Sequence, residues 1–270
     1  MQIATWNVNS IRTRLAHIQT WLDSDAGAAV DVLCLQETKV IDKQFPLEPL
    51  QAMGLYPYIY GQKAYNGVAF ISRHPLAEVT CGFEPVVGKA VTGAFDEQKR
   101  VISAVLRGVR IVNLYVPNGS EVGSEKYQYK LGWFEVLQEY LKTYLAPEGD
   151  KTQMVVCGDF NIALEDRDIY NPDKKETHIM SSRREREVLR QVLALGLQDT
   201  FRKFTEDGGH FSWWDYRSGG FARNRGWRID HLYATPRLYE RAVSCTIDRD
   251  PRSWKKPSDH APVVLELAEE

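Results

Sequence analysis

Gln153-Met-Val-Val-Cys-Gly-Asp-Phe-Asn161 is the stretch from which the fold can be read. Residues 153–157 form a short, nearly continuous apolar run, the mark of a strand buried on both faces. An acid and an amide, Asp159 and Asn161, follow at its C-terminal end, where loops can gather polar groups at one rim. Being two positions apart, they share a side if the chain stays extended. Read alone, Asp-Phe-Asn is better explained as a turn capped by its own side chains.

The same arrangement occurs earlier. Residues 30–35 form a second buried run with Glu37 just beyond it, and residues 2–8 form an alternating strand carrying Asn7, with Asn9 two places on. Ile11, Leu15, Ile18 and Leu22 then recur at helical spacing, which predicts a helix over 10–24 with Ser10 as N-cap. Residues 67–72 read as a strand, and 101–106 and 110–116 flank Arg107-Gly108 as a tight hairpin. Phe134, Leu137 and Leu141 give a helix over 125–145 its inner face, with Pro147 and Gly149 ending it. A charged helix over 182–195 turns Val188, Leu189, Val192 and Leu193 inward and stops at Gly196. Strands return at 211–213, 228–235, 243–248 and 263–267. No repeat or Pro/Ser-rich linker interrupts the 270 residues, so one domain over 1–270 is expected. Strands and helices mix throughout and several strands come as hairpins. That favours an α/β fold of packed sheets with outer helices over a purely parallel barrel.

Composition is that of an ordinary globular chain, 43% hydrophobic and 26% charged. No apolar run approaches the ~20 residues that cross a bilayer. The N-terminus lacks the basic-then-apolar pattern of a signal peptide, so a cytoplasmic protein is expected. Cys34, Cys81, Cys157 and Cys245 include no CxxC pair, which argues against a disulfide framework or structural zinc. A net charge of −2 argues against an indiscriminate nucleic-acid coat. Charge is nevertheless unevenly placed. Arg217, Arg223, Arg225 and Arg228 crowd a segment with Trp213, Trp214, Tyr216, Phe221 and Trp227. Such a mixture suits phosphate contact plus stacking, or equally a solvated basic loop packed by its aromatics.

Three carboxylates beside one phosphate would repel it unless a cation lay between them, which calls for a divalent ion. Glu37, emerging from buried backbone, suits Mg2+, an ion that takes one or two protein carboxylates and keeps several waters. Adjacent residues cannot easily aim the same way, so Asp259 would reach a metal while His260 reaches a phosphate. Asp230, from another segment, supplies a carboxylate to orient the imidazole and favour its charged form. Other chemistries lack their marks. There is no Gly-x-Ser-x-Gly elbow and no HExxH, and Gly88-Lys89 is followed by Ala90, which breaks a P-loop.

Six blocks carry a resemblance that runs from Asn7 to Pro262. They are Trp-Asn-Val-Asn at 6–9, Leu-Gln-Glu-Thr-Lys at 35–39, Asn-Leu-Tyr-Val-Pro-Asn-Gly at 113–119, Cys-Gly-Asp-Phe-Asn at 157–161, Gly-Trp-Arg-Ile-Asp at 226–230 and Ser-Asp-His-Ala-Pro at 258–262. Two more stretches, 65–70 and 211–217, extend it. Together they resemble the exonuclease III family of abasic-site DNA endonucleases, within the endonuclease/exonuclease/phosphatase superfamily. The resemblance implies a four-layered α/β sandwich, two mixed β-sheets face to face with helices outside. It implies Mg2+ as cofactor, with Mn2+ able to substitute, held by Glu37 with Asn7 and Asp259. Asp159, Asn161 and His260 would form a second metal site if there is one. By the same resemblance Asp159 handles the attacking water with Asn161, His260 supported by Asp230 contacts the scissile phosphate, and Tyr115 assists at a phosphate oxygen or the leaving group. Trp213 and Trp227 would wall a pocket for an abasic deoxyribose, with Asn118 and Arg223 as further DNA contacts. The implied partner is double-stranded DNA containing abasic sites, acted on by a monomer without a membrane. The implied reaction is hydrolysis 5′ to the lesion, leaving a 3′-hydroxyl and a 5′-deoxyribose phosphate, with 3′→5′ exonuclease and 3′-phosphodiesterase activity as possible additions. Two alternatives stand beside it. One is a superfamily phosphatase on another phosphoester. The other is a non-catalytic DNA-binding relative, whose mark would be a missing carboxylate or histidine; none is missing.

Overall fold

The computed structural model describes residues 1–145, 152–173 and 175–269. Its strands form two sheets of six. The first runs, edge to edge, β11 (Ala242–Ile247), β12 (Val263–Leu267), β1 (Gln2–Asn7), β2 (Val32–Gln36), β4 (Val68–Ser72) and β3 (Tyr56–Tyr60). The second runs β5 (Ala77–Cys81), β6 (Val101–Leu106), β7 (Val109–Tyr115), β8 (Met154–Asp159), β10 (Asp230–Ala234) and β9 (Gln198–Asp199). Each sheet has one parallel pair at its centre. β1 reaches β2 through helix α1 (Ile11–Leu22), and β7 reaches β8 through a crossover containing helix α5, Glu125–Leu145. Parallel neighbours need such crossovers, and antiparallel ones do not.

Side-chain alternation sorts the layers. Ile3, Val32, Cys34 and Phe70 of the first sheet meet Ile102, Ile111, Val155 and Leu232 of the second in one buried cluster. Residues of opposite parity in the first sheet, Ala4, Trp6, Leu33 and Leu35, pack on Ile11, Ile18 and Trp21 of α1. In the second sheet Val112, Leu114 and Val156 pack on Phe134, Leu137 and Leu141 of α5 and on Val188 and Leu189 of a helix over Arg183–Leu193. The result is helix, sheet, sheet, helix. Each such large apolar side chain contributes about 1.5–3 kcal/mol by leaving water.

A polar link crosses the central layer. Gln36 Nε2 donates to Asn113 Oδ1 at 2.7 Å and to Thr5 Oγ1 at 2.9 Å. Asn113 Nδ2 donates to the carbonyls of Leu35 and Ala69, both at 3.0 Å. All these groups are buried, where an unmade bond is costly, so they fix how one sheet lies on the other.

Several sequence expectations hold. Arg107 (φ 50°) and Gly108 (φ 77°) turn the β6–β7 hairpin, the signs a two-residue primed turn requires. Ser182 caps its helix reciprocally with Glu185. Others are corrected. Residues 211–213 are not a strand: Trp213 makes only isolated bridges, to Trp227 and to His260. The reason lies in Ser212, whose hydroxyl accepts from the backbone N–H of Ile229 and Asp230 and so interrupts the ladder. Ser10 precedes α1 but makes no side-chain cap; its N–H instead donates to Glu37 O at 2.7 Å. Strands β3 and β5 and three short helices, α2 (Leu47–Gln51), α3 (Glu84–Val87) and α4 (Lys89–Thr92), were not expected. Pro147 and Gly149 lie outside the described residues.

Candidate active site

Strand direction brings the polar residues together. β1, β2, β7 and β8 end at one rim, while β10 starts there, with Asp230 in register opposite Asp159 and Tyr115 in register on Asp159's other side. Just past the strand ends the backbone turns sharply. Asn9 (φ 45°), Glu37 (φ 53°), Lys39 (φ 56°) and Asn161 (φ 50°) are left-handed. Asparagine tolerates that region. For Glu37 and Lys39 it costs of order 1–3 kcal/mol each, a strain found where side-chain aim matters more than stability. Asp159 and Asn161 are therefore not two steps of one extended strand. The Asn161 N–H donates to Asp159 Oδ1 at 2.9 Å, as in a self-capped turn. Asn7 and Asn9 are related in the same way, Asn9 N donating to Asn7 Oδ1 at 3.0 Å.

Glu37, Asp159 and His260 form one group whose nearest ligand atoms lie within 4.8 Å of one another. Asn7 bridges the two acids, its Nδ2 donating to Glu37 Oε1 at 2.8 Å and Asp159 Oδ2 at 2.9 Å. It thus presents its amide protons to them, not its oxygen. His260 Nδ1 donates to Asp230 Oδ2 at 2.8 Å, and its Nε2 lies 3.7 Å from Asp159 Oδ2. Ser212 Oγ also donates to Asp230, at 2.7 Å. Asp259 turns the other way, as the sequence predicts for a neighbour of His260. It is not part of the three-residue group; its oxygens accept from Asn9 Nδ2 and Trp213 Nε1, both at 3.0 Å.

These contacts set the charges. Burial pushes Asp159 up to about 7, with Asp230 and Glu37 adding to it and His260 and Asn7 opposing. Burial alone would lower His260, but Asp230, then Asp159, lift it to about 10, so the imidazole is charged at neutral pH. Burial would raise Glu37, yet Lys39, 2.7 Å away, and the Asn7 amide hold it below the ordinary carboxylate value. Asp259 is likewise held low: His260 and the Trp213 and Asn9 donors outweigh its burial. Burial, then the Glu37 charge, holds Tyr115 well above an ordinary phenol, so it stays a hydroxyl donor.

Asn161 is clamped on both sides, donating to Val116 O at 2.9 Å and accepting from Asn118 Nδ2 at 3.0 Å. Asn118 and Tyr115 line a groove of about 480 Å³ with Arg100, whose guanidinium stacks 4.6 Å above the Tyr115 ring. Trp213 and Trp227 are half-buried and exchange backbone hydrogen bonds, both at 2.9 Å, over a floor of Ala163, Ile169, Met180 and Ile229. Arg223 is exposed and lines a different groove, with Tyr170 and Phe211. Arg228 is no surface cation. It is 1% exposed and paired with Asp168 and Asp199 at 2.7 Å each. Trp214, also from the basic aromatic segment, is core. Sequence reading passed over Lys39 and Ser212 as partners of the site, although they lie in the stretches at 35–39 and 211–217 that carry the resemblance.

A family model described as the endonuclease/exonuclease/phosphatase family matches residues 4–260. The chain belongs to that family. It is 34% identical to the exodeoxyribonuclease III of Haemophilus influenzae, over 99% of this chain and 100% of that one. Its fold superposes with a TM-score of 0.92 on the 3′ phosphatase NExo from Neisseria bound to a product DNA hairpin, 38% identical with both chains fully covered. An AP endonuclease from Archaeoglobus fulgidus gives 0.90 at 38% identity, again over the whole of both chains. The two mixed sheets with outer helices are the expected DNase I-like sandwich. Among the described residues, no helix is long and apolar enough to cross a membrane.

Proposed function

We propose that this protein is a DNA-repair nuclease that hydrolyses the phosphodiester 5′ to an abasic site and trims 3′ ends. The convergence of Glu37, Asp159 and a charged His260 carries the reading. Relatives named as exodeoxyribonucleases, an AP endonuclease and a DNA-bound 3′ phosphatase support DNA as the substrate.

The donor set fits a hard cation. Glu37 and Asp159 offer oxygens close enough to share one ion, and the strained turn at Glu37 holds its carboxylate there. We take the ion as Mg2+, with Mn2+ able to substitute, held by Glu37 with Asn7 beside it; Asp259, bound to Asn9 and Trp213, would support it from further out. When bound, the ion withdraws charge from a phosphate oxygen and from the leaving oxygen.

The side chains divide the remaining work. Charged His260, oriented by Asp230, donates to the scissile phosphate, and Asn161 and Tyr115 add neutral donors where charge develops. Asp159 receives the proton of the attacking water. A charged imidazole cannot accept that proton, whereas a carboxylate whose affinity for protons lies near neutrality can. Should a second ion bind, Asp159, Asn161 and His260 are the set for it, and His260 would first have to release its Nε2 proton.

Trp213 and Trp227 supply an apolar wall for a baseless sugar, whose rotation out of the duplex costs less than flipping a stacked base. Asn118 in the Tyr115 groove and exposed Arg223 would contact DNA on either flank. We treat residues 1–270 as one catalytic domain acting as a monomer. Its four free cysteines suit the reducing cytoplasm. The test is digestion of a labelled duplex carrying one tetrahydrofuran, with an intact duplex and a lipid-phosphate panel as controls. Internal incision at the lesion of the abasic duplex alone, lost in EDTA and restored by magnesium, is expected, with 3′-end trimming common to both duplexes; turnover of the lipid panel alone would overturn the reading.

A further inference from the structure

Helix α5 buries a stripe of Tyr127, Lys130, Phe134, Leu137 and Leu141. A lysine in that stripe is out of place by hydropathy, since an ammonium is among the groups least often fully buried. Lys130 is 0% exposed. Its Nζ donates to Asn161 O at 2.8 Å, to Asn118 O at 3.2 Å and to Glu185 Oε1 at 2.5 Å, which uses all three of its N–H bonds. Glu185 in turn accepts from Met180 N at 3.1 Å and from Ser182 N and Oγ at 3.1 and 2.6 Å. Tyr127 OH lies 2.8 Å from Ser182 Oγ. One buried ion pair therefore ties two helices to the 118–120 loop, the 159–161 turn and the 180–182 segment.

Two of its acceptors are the backbone oxygens of Asn161 and Asn118, whose side chains bond each other at the rim. Asn161 is left-handed, which turns its carbonyl inward, where only a buried donor can satisfy it. The fit is close. A Cβ added at Gly119 (φ +90°) would meet Lys130 Cδ at 3.2 Å and Ile179 Cδ1 at 3.1 Å. The loop has been shaped to lie on this lysine stem.

We infer that Lys130 is a positioning residue for hydrolysis, holding the Asn161 and Asn118 amides in their working orientation from behind through their backbone carbonyls. The inference rests on the function proposed above. Lys130 touches no reacting atom. A bond to a carbonyl fixes the peptide plane, and the plane fixes where the side chain starts. A displacement of about 1 Å at a reacting centre costs about 100-fold in rate.

The test compares the wild type with Lys130→Met/Glu185→Gln, which removes both buried charges together, and with Lys130→Gln, which keeps one amide able to donate to a carbonyl. Cleavage of the tetrahydrofuran duplex is followed at saturating magnesium, with thermal unfolding and the side-chain amide NMR signals of Asn118 and Asn161. The double variant should lose about 10- to 100-fold in kcat while KM and half-saturating magnesium move less than about 2-fold. The two amide signals should shift or broaden, and Lys130→Gln should recover part of the rate. A folded double variant with kcat within about 2-fold of wild type overturns the inference, as does a loss fully explained by its unfolded fraction. If the double variant does not fold, Lys130→Gln, with one amide left for two carbonyls, should lose at least about 3-fold in kcat with both amide signals shifted, and a wild-type rate with unmoved signals overturns the inference. A wild type that fails to cut the duplex sinks the proposed function instead, and the Asn118 and Asn161 amide signals then decide the positioning role alone.

Discussion

His260 Nδ1 lies 2.8 Å from Asp230 Oδ2, and the imidazole so held stands between strand β10 and the acid that ends strand β8. This contact makes His260 a permanent donor at neutral pH. In Asp230→Asn its pKa, now about 10, should fall, because the carboxylate that lifts it most is gone. A raised histidine stabilises the fold fully below its unfolded value of about 6.5, and the benefit is lost as pH rises through about 10. The variant should therefore be less stable than wild type at pH 6 and nearly equal above pH 10. Imidazole NMR titration and urea unfolding at both pH values measure this, and an unmoved titration would contradict it.

Glu37→Ala and His260→Ala should each reduce cleavage of abasic duplex by at least about 100-fold with the far-ultraviolet spectrum close to wild type; His260→Ala, which leaves buried Asp230 without its counter-charge, should also lower the unfolding midpoint, whereas Glu37→Ala should not. Glu37 carries strain that alanine would also feel, so the midpoint should change little or rise slightly if the turn relaxes. Normal turnover in either purified variant would remove that residue from the chemistry.

Trp213→Ala removes both a wall of the proposed sugar pocket and the donor to Asp259, whereas Trp227→Ala removes only the wall. Both should lower the preference for abasic over intact duplex. Only Trp213→Ala should also raise the magnesium needed for half-maximal rate, if Asp259 supports the ion. Competition assays across a magnesium series distinguish the two, and equal magnesium curves would show that the indole–carboxylate bond is irrelevant to the metal.

Asp168 accepts from buried Arg228 and pairs with Arg202, and although burial opposes it these cations hold its pKa well below the usual carboxylate range. Asp168→Asn leaves two arginines short of a partner and should cost about 3–5 kcal/mol at neutral pH. A depressed acid contributes fully above its unfolded pKa of about 3.9 and loses the contribution as pH falls below that toward its folded value. The gap between wild type and variant should thus be flat from pH 7 to 5 and narrow below about pH 4. Denaturant curves over that range provide the check; a gap that widens in acid would be the wrong sign.

The sequence made parts of this site visible for a simple reason. Glu37 and Asp159 follow apolar runs that can only be central strands, so both had to emerge at strand ends. The crossovers through α1 and α5 were equally readable from apolar spacing. Partnership across long separations was not. Nothing local marks Arg228 as buried, because its counter-charges come from Asp168 and Asp199, distant in sequence. Asp259 stands next to His260 yet is bonded to Trp213 and Asn9, which periodicity cannot anticipate. The left-handed turn at Glu37 has no glycine to announce it, whereas the one at Asn161 is the self-capped turn that Asp-Phe-Asn itself suggests.

The Gln36–Asn113 bond has a mechanical meaning beyond stability. Glu37 and Asn7 are carried by one sheet, while Asp159, Asp230 and Tyr115 are carried by the other. The proposed reacting constellation is thus split across a seam, and sliding along it would separate the groups without breaking either half. Amides riveting the seam directly beneath the rim turn two independently deformable plates into a single jig.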